Sequence, residues 1–506
     1  MSKSKLLKEM EKSTNKTART ENGALSYKNT LNSVLDFFSK SGALRGQEEE
    51  VVRYFDNAIS EDLVMAMRAM FYMRDIRGGQ GERENFRKLL KFTAKNFPAE
   101  MRRNMVHVPE FGRWDDMYAF VGTPLEADAF AMISVQFIKD LDNLKSGQEV
   151  SLLGKWLKSE NTSSKTSREL ATKTRNYLGL SSRKYRKALS MLRKQIGIVE
   201  RAMSAKKWEN INFEHVPSQA SRIYSNAFRE HQPERYSEYM EQVKSGEKKI
   251  NASTLYPYDI ARKILSESIY GFASSSSYDE EAYDALWKAL PNYIPEGESG
   301  LVVADTSGSM FSGHGSNNVR PIDVSVSLAL YFAERAKGRF KDYFITFSDE
   351  PSLKKVKGST IASKIRNISK AEWGASTNLQ AVFSLILKTA IANELSQEDL
   401  PSKIFIISDM QFNHAIKSGG GRFSEEKTNF EAIEKKFKKA GYKRPDLVFW
   451  NVNASSDTPV TQDEKGTFLV SGCSPSILKH AINCEATTPV DLMVEVLSSP
   501  RYAVIQ

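Results

Sequence analysis

Residues 300–310 read GLVVADTSGSM, and no other stretch limits the fold of this chain so tightly. Leu301, Val302, Val303 and Ala304 form a continuous apolar run, of the kind that fills a parallel strand buried on both faces. The run ends at Asp305, and Ser307 and Ser309 follow at alternate positions in a loop that contains Gly308. Ligands of open α/β sheets gather at the carboxyl ends of strands, where loops are free to carry chemistry. One carboxylate and two hydroxyls make an oxygen-only donor set, which suits a hard divalent cation and suits zinc or copper poorly. Magnesium keeps several waters and takes few protein ligands, so a sparse set is appropriate to it. A phosphatase built on a nucleophilic aspartate wants a second Asp two residues after the first; Ser307 stands there, which sets that chemistry aside.

Two later segments extend the arrangement. Residues 374–387, GASTNLQAVFSLIL, place Thr377 at the head of an apolar helical stretch, and residues 403–410, KIFIISDM, form a second buried-strand run that ends in Asp409. The pattern Asp-x-Ser-x-Ser after an apolar strand resembles the metal-ion-dependent adhesion site of von Willebrand factor type A domains. That resemblance implies a second loop supplying Thr377 and a third supplying Asp409. The implied ligand set is therefore Asp305, Ser307, Ser309, Thr377 and Asp409 around Mg²⁺ or Mn²⁺, with Asp409 acting directly or through a water. The alternative is the same fold with a metal-free turn at Asp305.

From residue 300 onward, strand-length and helix-length apolar runs alternate. Strands are expected at 301–305, 343–347, 404–409, 447–452 and 468–470, and helices at 322–337, 377–393 and 430–439, followed by two closing helices. This order predicts an α/β doubly wound domain over residues 300–506. The polar loops GSNNVR and KSGGGRFSEEKT are expected near its metal rim, with His314 and His414 in or beside them as loop residues rather than ligands.

Upstream the texture is different. Residues 23–290 are rich in Leu, Met, Ala, Lys and Glu with few alternating β-branched runs, which predicts an all-α, HEAT-like array of helical pairs without a clean repeat period. Residues 61–77 and 82–97 read as two helices joined by a plain turn at Gly78, Gly79, Gln80 and Gly81. Residues 1–22 read as a disordered basic arm, and residues 291–299 as the linker between the two halves. The chain is thus expected to be multidomain.

Charge separates the halves further. The net charge of the 506-residue chain is +10, yet residues 155–207 alone hold fifteen Lys and Arg against Glu160, Glu169 and Glu200. That concentrated excess is a statement about partners. Within it, residues 182–208 read as one helix whose apolar positions Tyr185, Leu189, Leu192, Ile196, Val199 and Met203 recur at steps of four and three. At about 100° per residue these share a face, leaving Arg183, Lys187, Lys194 and Arg201 opposite as a candidate nucleic-acid surface. The competing reading is a stripe neutralised by the acidic stretch at residues 115–142. No run is long and apolar enough to cross a bilayer and no apolar h-region opens the chain, so a cytoplasmic protein without membrane contact is expected. Two cysteines, Cys473 and Cys484, fit reduced thiols and make no zinc site.

A helical array followed by a type A domain is similar to the Ro autoantigen layout, TROVE plus von Willebrand factor type A, and that resemblance implies RNA bound at the basic surfaces of the array. A closer match is to a family of the same layout with no settled activity. It rests on RDIRGGQGER (74–83), LLGKWL (152–157), SSRKYRKALSMLRKQIGIVE (181–200), HVPSQA (215–220), ADTSGSM and ISDMQF. The expected function is a non-enzymatic RNA-binding protein with a divalent-metal site. The alternative is a protein-interaction module in which a partner's carboxylate completes the coordination of the metal. No nucleophile–histidine pattern, phosphate loop or zinc signature supports a hydrolase.

Overall fold

The helix Leu63–Arg74 is the hub of the N-terminal half. Its sequence, LVMAMRAMFYMR, is apolar nearly all round, and a helix without a polar face belongs inside. Asp62 caps it by accepting from the Met65 N–H. Helices Ser33–Lys40, Glu48–Glu61 and Glu84–Asn96 surround it, and Phe71 meets Phe86 and Phe111 edge-on. The array continues through Glu126–Lys145, Lys165–Tyr177, Ser182–Gln195, Ser218–His231, Pro233–Ser245, Pro257–Tyr270 and Glu280–Lys288. The computed structural model describes residues 17–19, 25–270, 278–294, 300–311, 319–337, 339–346, 351–369, 379–410, 429–453, 458–483 and 486–506.

The arm expected to be disordered over residues 1–22 contains a short strand. β1 (Thr17–Arg19) pairs antiparallel with β2 (Leu25–Tyr27), and Tyr27 exchanges backbone hydrogen bonds with Thr458. The partner of this hairpin lies in the other half of the chain, so local composition carries no sign of it.

The C-terminal half is built on a six-stranded sheet of β3 (Leu301–Ala304), β4 (Tyr343–Thr346), β5 (Ser352–Lys355), β6 (Lys403–Ser408), β7 (Asp446–Asn451) and β8 (Thr467–Ser471), in the order β5-β4-β3-β6-β7-β8. All pairs are parallel except β4 with β5. Successive residues point to opposite faces. Val302, Ala304, Phe405 and Ile407 join the core shared with the helical half, while Leu301, Val303, Ile404 and Ile406 form a second core under helices Leu379–Ala392 and Asn429–Lys439. The continuous apolar runs follow from this burial on both faces. β5 was not expected. It is an antiparallel edge strand with exposed Leu353 and Lys355, and it lacks the apolar run that identifies its neighbours.

The change of architecture near residue 300 is not a gap in packing. One core cluster runs through both halves, from Phe37 and Phe71 to Trp450 and Val496. The turn after the hub helix docks directly on the sheet. Gln80 Nε2 donates to the Ser471 carbonyl (3.3 Å) and Ser471 Oγ (3.1 Å), and Ser476 Oγ donates to the Gly79 carbonyl at 3.0 Å. Gly79 is obligatory there, because a Cβ would stand 1.9 Å from the Tyr72 carbonyl oxygen. The C-terminus then returns to the array, where the Gln506 N–H donates to Asn104 Oδ1 at 2.9 Å.

Candidate functional site

Two surfaces carry the residues singled out by sequence. At the first, β3 and β6 lie side by side with Ala304 opposite Ile407, so the residues that follow them, Asp305 and Asp409, emerge at the same sheet edge. The Asp305 N–H donates to the Ile407 carbonyl at 2.9 Å, which fixes where the loop leaves the strand. Asp305 is fully buried, and Ser307 and Asp409 are each 3 % exposed. The Ser307 N–H donates to Asp305 Oδ1 at 2.9 Å, Ser408 Oγ donates to Oδ2, and the Ser307 and Ser309 hydroxyls are 3.2 Å apart. Burial, reinforced by the charge of Asp409, pushes the Asp305 carboxyl up to about 6 against the bonds from Ser408 and Ser307. Met410, the next residue, is held at a positive φ of 66 with its N–H on Ser408 Oγ, strain of the kind that collects at functional loops. The rim opens to solvent at exposed Gly308 and half-buried Ser309.

This arrangement brings together Asp305, Ser307, Ser309 and Asp409; Thr377, His314 and His414 lie outside the described residues. Among the described residues there is no group of three or more His, Cys, Asp or Glu able to hold a metal. The donor set is instead two carboxylates with hydroxyls. It fits a hard cation on one observation: buried Asp305 sits in the field of a second carboxylate, and the Thr306 hydroxyl beside it is buried without a hydrogen-bond partner. Sequence reading missed Ser408, whose signal was a hydroxyl closing an otherwise apolar buried strand.

The second surface is cationic. The single helix expected over residues 182–208 is in fact two, Ser182–Gln195 and Val199–Ser204, with a 3₁₀ turn at Trp208–Asn210. Gly197, at φ 70, ends the first. Its N–H donates to the Lys194 carbonyl and that of Ile198 to the Arg193 carbonyl, the pair of bonds that closes a helix through a left-handed glycine. The four–three stepping continued across this turn and concealed it. Tyr185, Leu189 and Leu192 are buried, whereas Arg183, Lys187 and Lys194 are exposed together with Lys184 and Arg186. Arg201, on the second helix, folds back through a hydrogen bond to the Ser190 carbonyl. Arg183, Lys187, Lys194 and Arg201 form no ion pair among the described residues, so the acidic stretch at 115–142 does not cover them. Arg193 is different: it donates to the carbonyls of Gly154 and Leu157 and to Ser159 Oγ, locking the helix onto the 152–157 segment. Between them lies a groove of about 620 Å³ bordered by Lys155, Trp156, Arg186 and Arg201, with Glu160 and Glu200 on its walls.

Comparison with known proteins adds the following. The family described as a domain of unknown function, DUF2828, matches residues 20–148 and 150–296, and a second domain of unknown function, DUF7788, matches residues 299–496. Uncharacterized protein L728 of Acanthamoeba polyphaga mimivirus is 28 % identical over 521 residues, which cover 94 % of this chain and 86 % of that protein. The crystal structure of the RO (RSR) protein of Deinococcus radiodurans aligns with a TM-score of 0.47 at 13 % identity, over 90 % of this chain and 99 % of that one. A likeness of that degree carries no functional argument.

Proposed function

This chain belongs to the DUF2828 family, and from that premise we propose that it is a non-enzymatic RNA-binding protein whose α/β half is a type A-like domain with a magnesium or manganese site. The observation that carries the RNA reading is the exposed cationic face of helix Ser182–Gln195, extended by Arg201, with no carboxylate paired to it among the described residues. Such a face attracts a phosphate backbone through counterion release, which needs no base-specific contact.

At the strand ends, Asp305, Ser307, Ser309 and Asp409 would hold the cation, with Thr377 completing the set. A bound divalent ion supplies positive charge to the buried carboxylate pair and an open coordination position. The rim at exposed Gly308 and half-buried Ser309 favours a second reading, in which that position takes a carboxylate from a partner protein. No helix among the described residues is long and apolar enough to cross a membrane.

Changing Arg183, Lys187, Lys194 and Arg201 to Gln together tests the RNA reading. For single strands the slope of log affinity against log salt is about −0.7 per phosphate neutralised, so the quadruple variant should flatten it by up to about three units. Fluorescence anisotropy of a labelled oligoribonucleotide across a salt series measures this. The fold should be retained, because the buried face is untouched and Gln is nearly as good a helix former as Lys. Unchanged affinity and slope would move the assignment to the protein-interaction reading.

A further inference from the structure

The central sheet has two edges, and the chain treats them differently. At one, β8 (Thr467–Ser471) is buried at all five residues and closed by the helical half. There the Gly42 N–H donates to Ser471 Oγ at 3.2 Å, and Gln80 Nε2 donates to the Ser471 carbonyl at 3.3 Å. At the other, β5 (Ser352–Lys355) pairs with β4 on one side only, and no described strand lies beyond it. An open edge presents a row of unpaired backbone donors and acceptors that another chain can use.

The register decides which groups point outward. Tyr343 faces Lys355, Phe344 faces Lys354 and Ile345 faces Leu353, and the Val356 N–H donates to the Asp342 carbonyl at 2.8 Å. Backbone groups along a strand alternate in direction, so Lys354 and Ser352 also turn theirs toward β4. Those of Leu353 and Lys355 face away from the sheet. Neither residue bonds through its backbone to a third segment among the described residues. An added strand would exchange a donor and an acceptor with each.

The side chains make a second, independent observation. Leu353 is 50 % exposed, although Ile345 opposite it is 2 % exposed and belongs to the core under helices Leu379–Ala392 and Asn429–Lys439. That core therefore ends on an apolar side chain at the open edge, and a residue added beside Leu353 would extend it. Residues 351–360, PSLKKVKGST, hold Lys354, Lys355 and Lys357 and no acid. None of these lysines forms an ion pair among the described residues, and neither does Asp342 at the foot of β4. Lys355 Nζ instead stands 5.5 Å from the centroid of the Tyr343 ring. Asp349 and Glu350, earlier in the sequence, lie outside the described residues. Lysines on an edge repel a second copy of that edge, since like charges would meet. A strand of opposite charge meets no such barrier.

We propose that β5 takes up an acidic segment of a partner protein as a further, extended strand. Main-chain bonds from Leu353 and Lys355 supply the grip, an apolar residue against Leu353 sets the register, and carboxylates against the lysines set the preference for charge. This surface uses neither the cationic helix nor the strand-end carboxylates, and it stands or falls independently of both.

A fluorescein-labelled octapeptide of alternating glutamate and valine is titrated with the full-length protein and followed by fluorescence anisotropy. Wild type should bind it saturably, more weakly as salt rises, and at least about tenfold more tightly than the lysine–valine counterpart. Methylating every backbone nitrogen of the acidic peptide keeps its charge and removes its donors, which should weaken binding at least about tenfold. Leu353→Pro removes an outward N–H that the ladder with β4 does not use. Its thermal midpoint should stay near that of wild type while its affinity for the peptide falls by a similar factor. Changing Lys354, Lys355 and Lys357 to Gln together should weaken binding about tenfold and flatten the salt dependence. No saturable binding of the acidic peptide by wild type overturns the proposal. So does equal affinity for the methylated peptide, or in folded Leu353→Pro, because contact by charge alone would then remain. A wild-type dimer on gel filtration that Leu353→Pro dissolves assigns the edge to a second copy and overturns it too. Displacement of the bound peptide by an oligoribonucleotide reassigns the lysines to nucleic acid, with the same consequence.

Discussion

Asp75→Ala is expected to destabilise the protein by about 3–5 kcal/mol, the range for removing one partner of a buried ion pair. Asp75 is fully buried at the end of the hub helix. It accepts from Nε and Nη2 of Arg501, from the Tyr502 hydroxyl at 2.9 Å and from the Arg77 N–H at 3.0 Å. Tyr502 also packs edge-on against Tyr72 and stacks on Phe111, and the Arg501 guanidinium lies 4.9 Å from the Phe111 ring. Losing the carboxylate leaves the buried Tyr502 hydroxyl unsatisfied. The Arg501 side chain is a third exposed and recovers some hydration, which places the effect toward the lower end of that range. Urea unfolding followed by far-ultraviolet circular dichroism measures it. Because the same carboxylate joins residues 75 and 501, the loss should appear as one shifted transition involving both halves. A change below about 1 kcal/mol would mean that the C-terminal segment is only tethered at the surface. The same joint implies that cleavage within residues 291–299 leaves the two fragments associated on gel filtration.

Asp305→Asn is expected to act in opposite directions with and without divalent metal. The carboxyl is pushed up to about 6, from an ordinary value of 3.8. The folded protein therefore holds a proton that the unfolded chain has already released, and this contribution to stability falls as pH rises from about 4 to about 6, then levels off. At about 1.4 kcal/mol per pKa unit, the loss by neutral pH is at most about 3 kcal/mol. Asn carries no charge at any pH, so in chelator at pH 7.5 the variant should be more stable than wild type. Its stability should also lack the decline attributable to Asp305 between pH 4 and 6. With saturating Mg²⁺ or Mn²⁺ the order should close or reverse, since binding stabilises the wild type by mass action and the variant has lost a ligand. Thermal midpoints of both proteins in chelator and in each metal decide the matter. Equal metal responses would sink the cation site. A variant less stable than wild type in chelator would show that the bonds from Ser408 and Ser307 outweigh the cost of burying the charge.

How much of this was legible in the residues varies with the range of the interaction. The runs at 301–304, 404–407 and 447–450 were readable as strands because burial on both faces demands apolar residues at every position. The aspartates that end two of those runs could be placed at one sheet edge for the same reason. The break at Gly197 had a local signal, but the apolar stepping across it satisfied a longer helix equally well. Lys184 and Arg186 were overlooked because the stripe was drawn by angle on that longer helix, while exposure includes them.

By itself, the order of residues marked the buried strands, most of the helices and the end of the sheet that carries oxygen donors, but not the β1–β2 hairpin, the edge strand β5 or the break at Gly197. The features it marked follow from periodicity, strand-end position and side-chain chemistry, all of which act over a few residues. Tertiary structure alone decided that Asp75 meets Arg501 and that Gln80 meets Ser471. A polar group finds its distant partner only after rigid elements have been oriented by packing of the shared core, and no local pattern records that orientation.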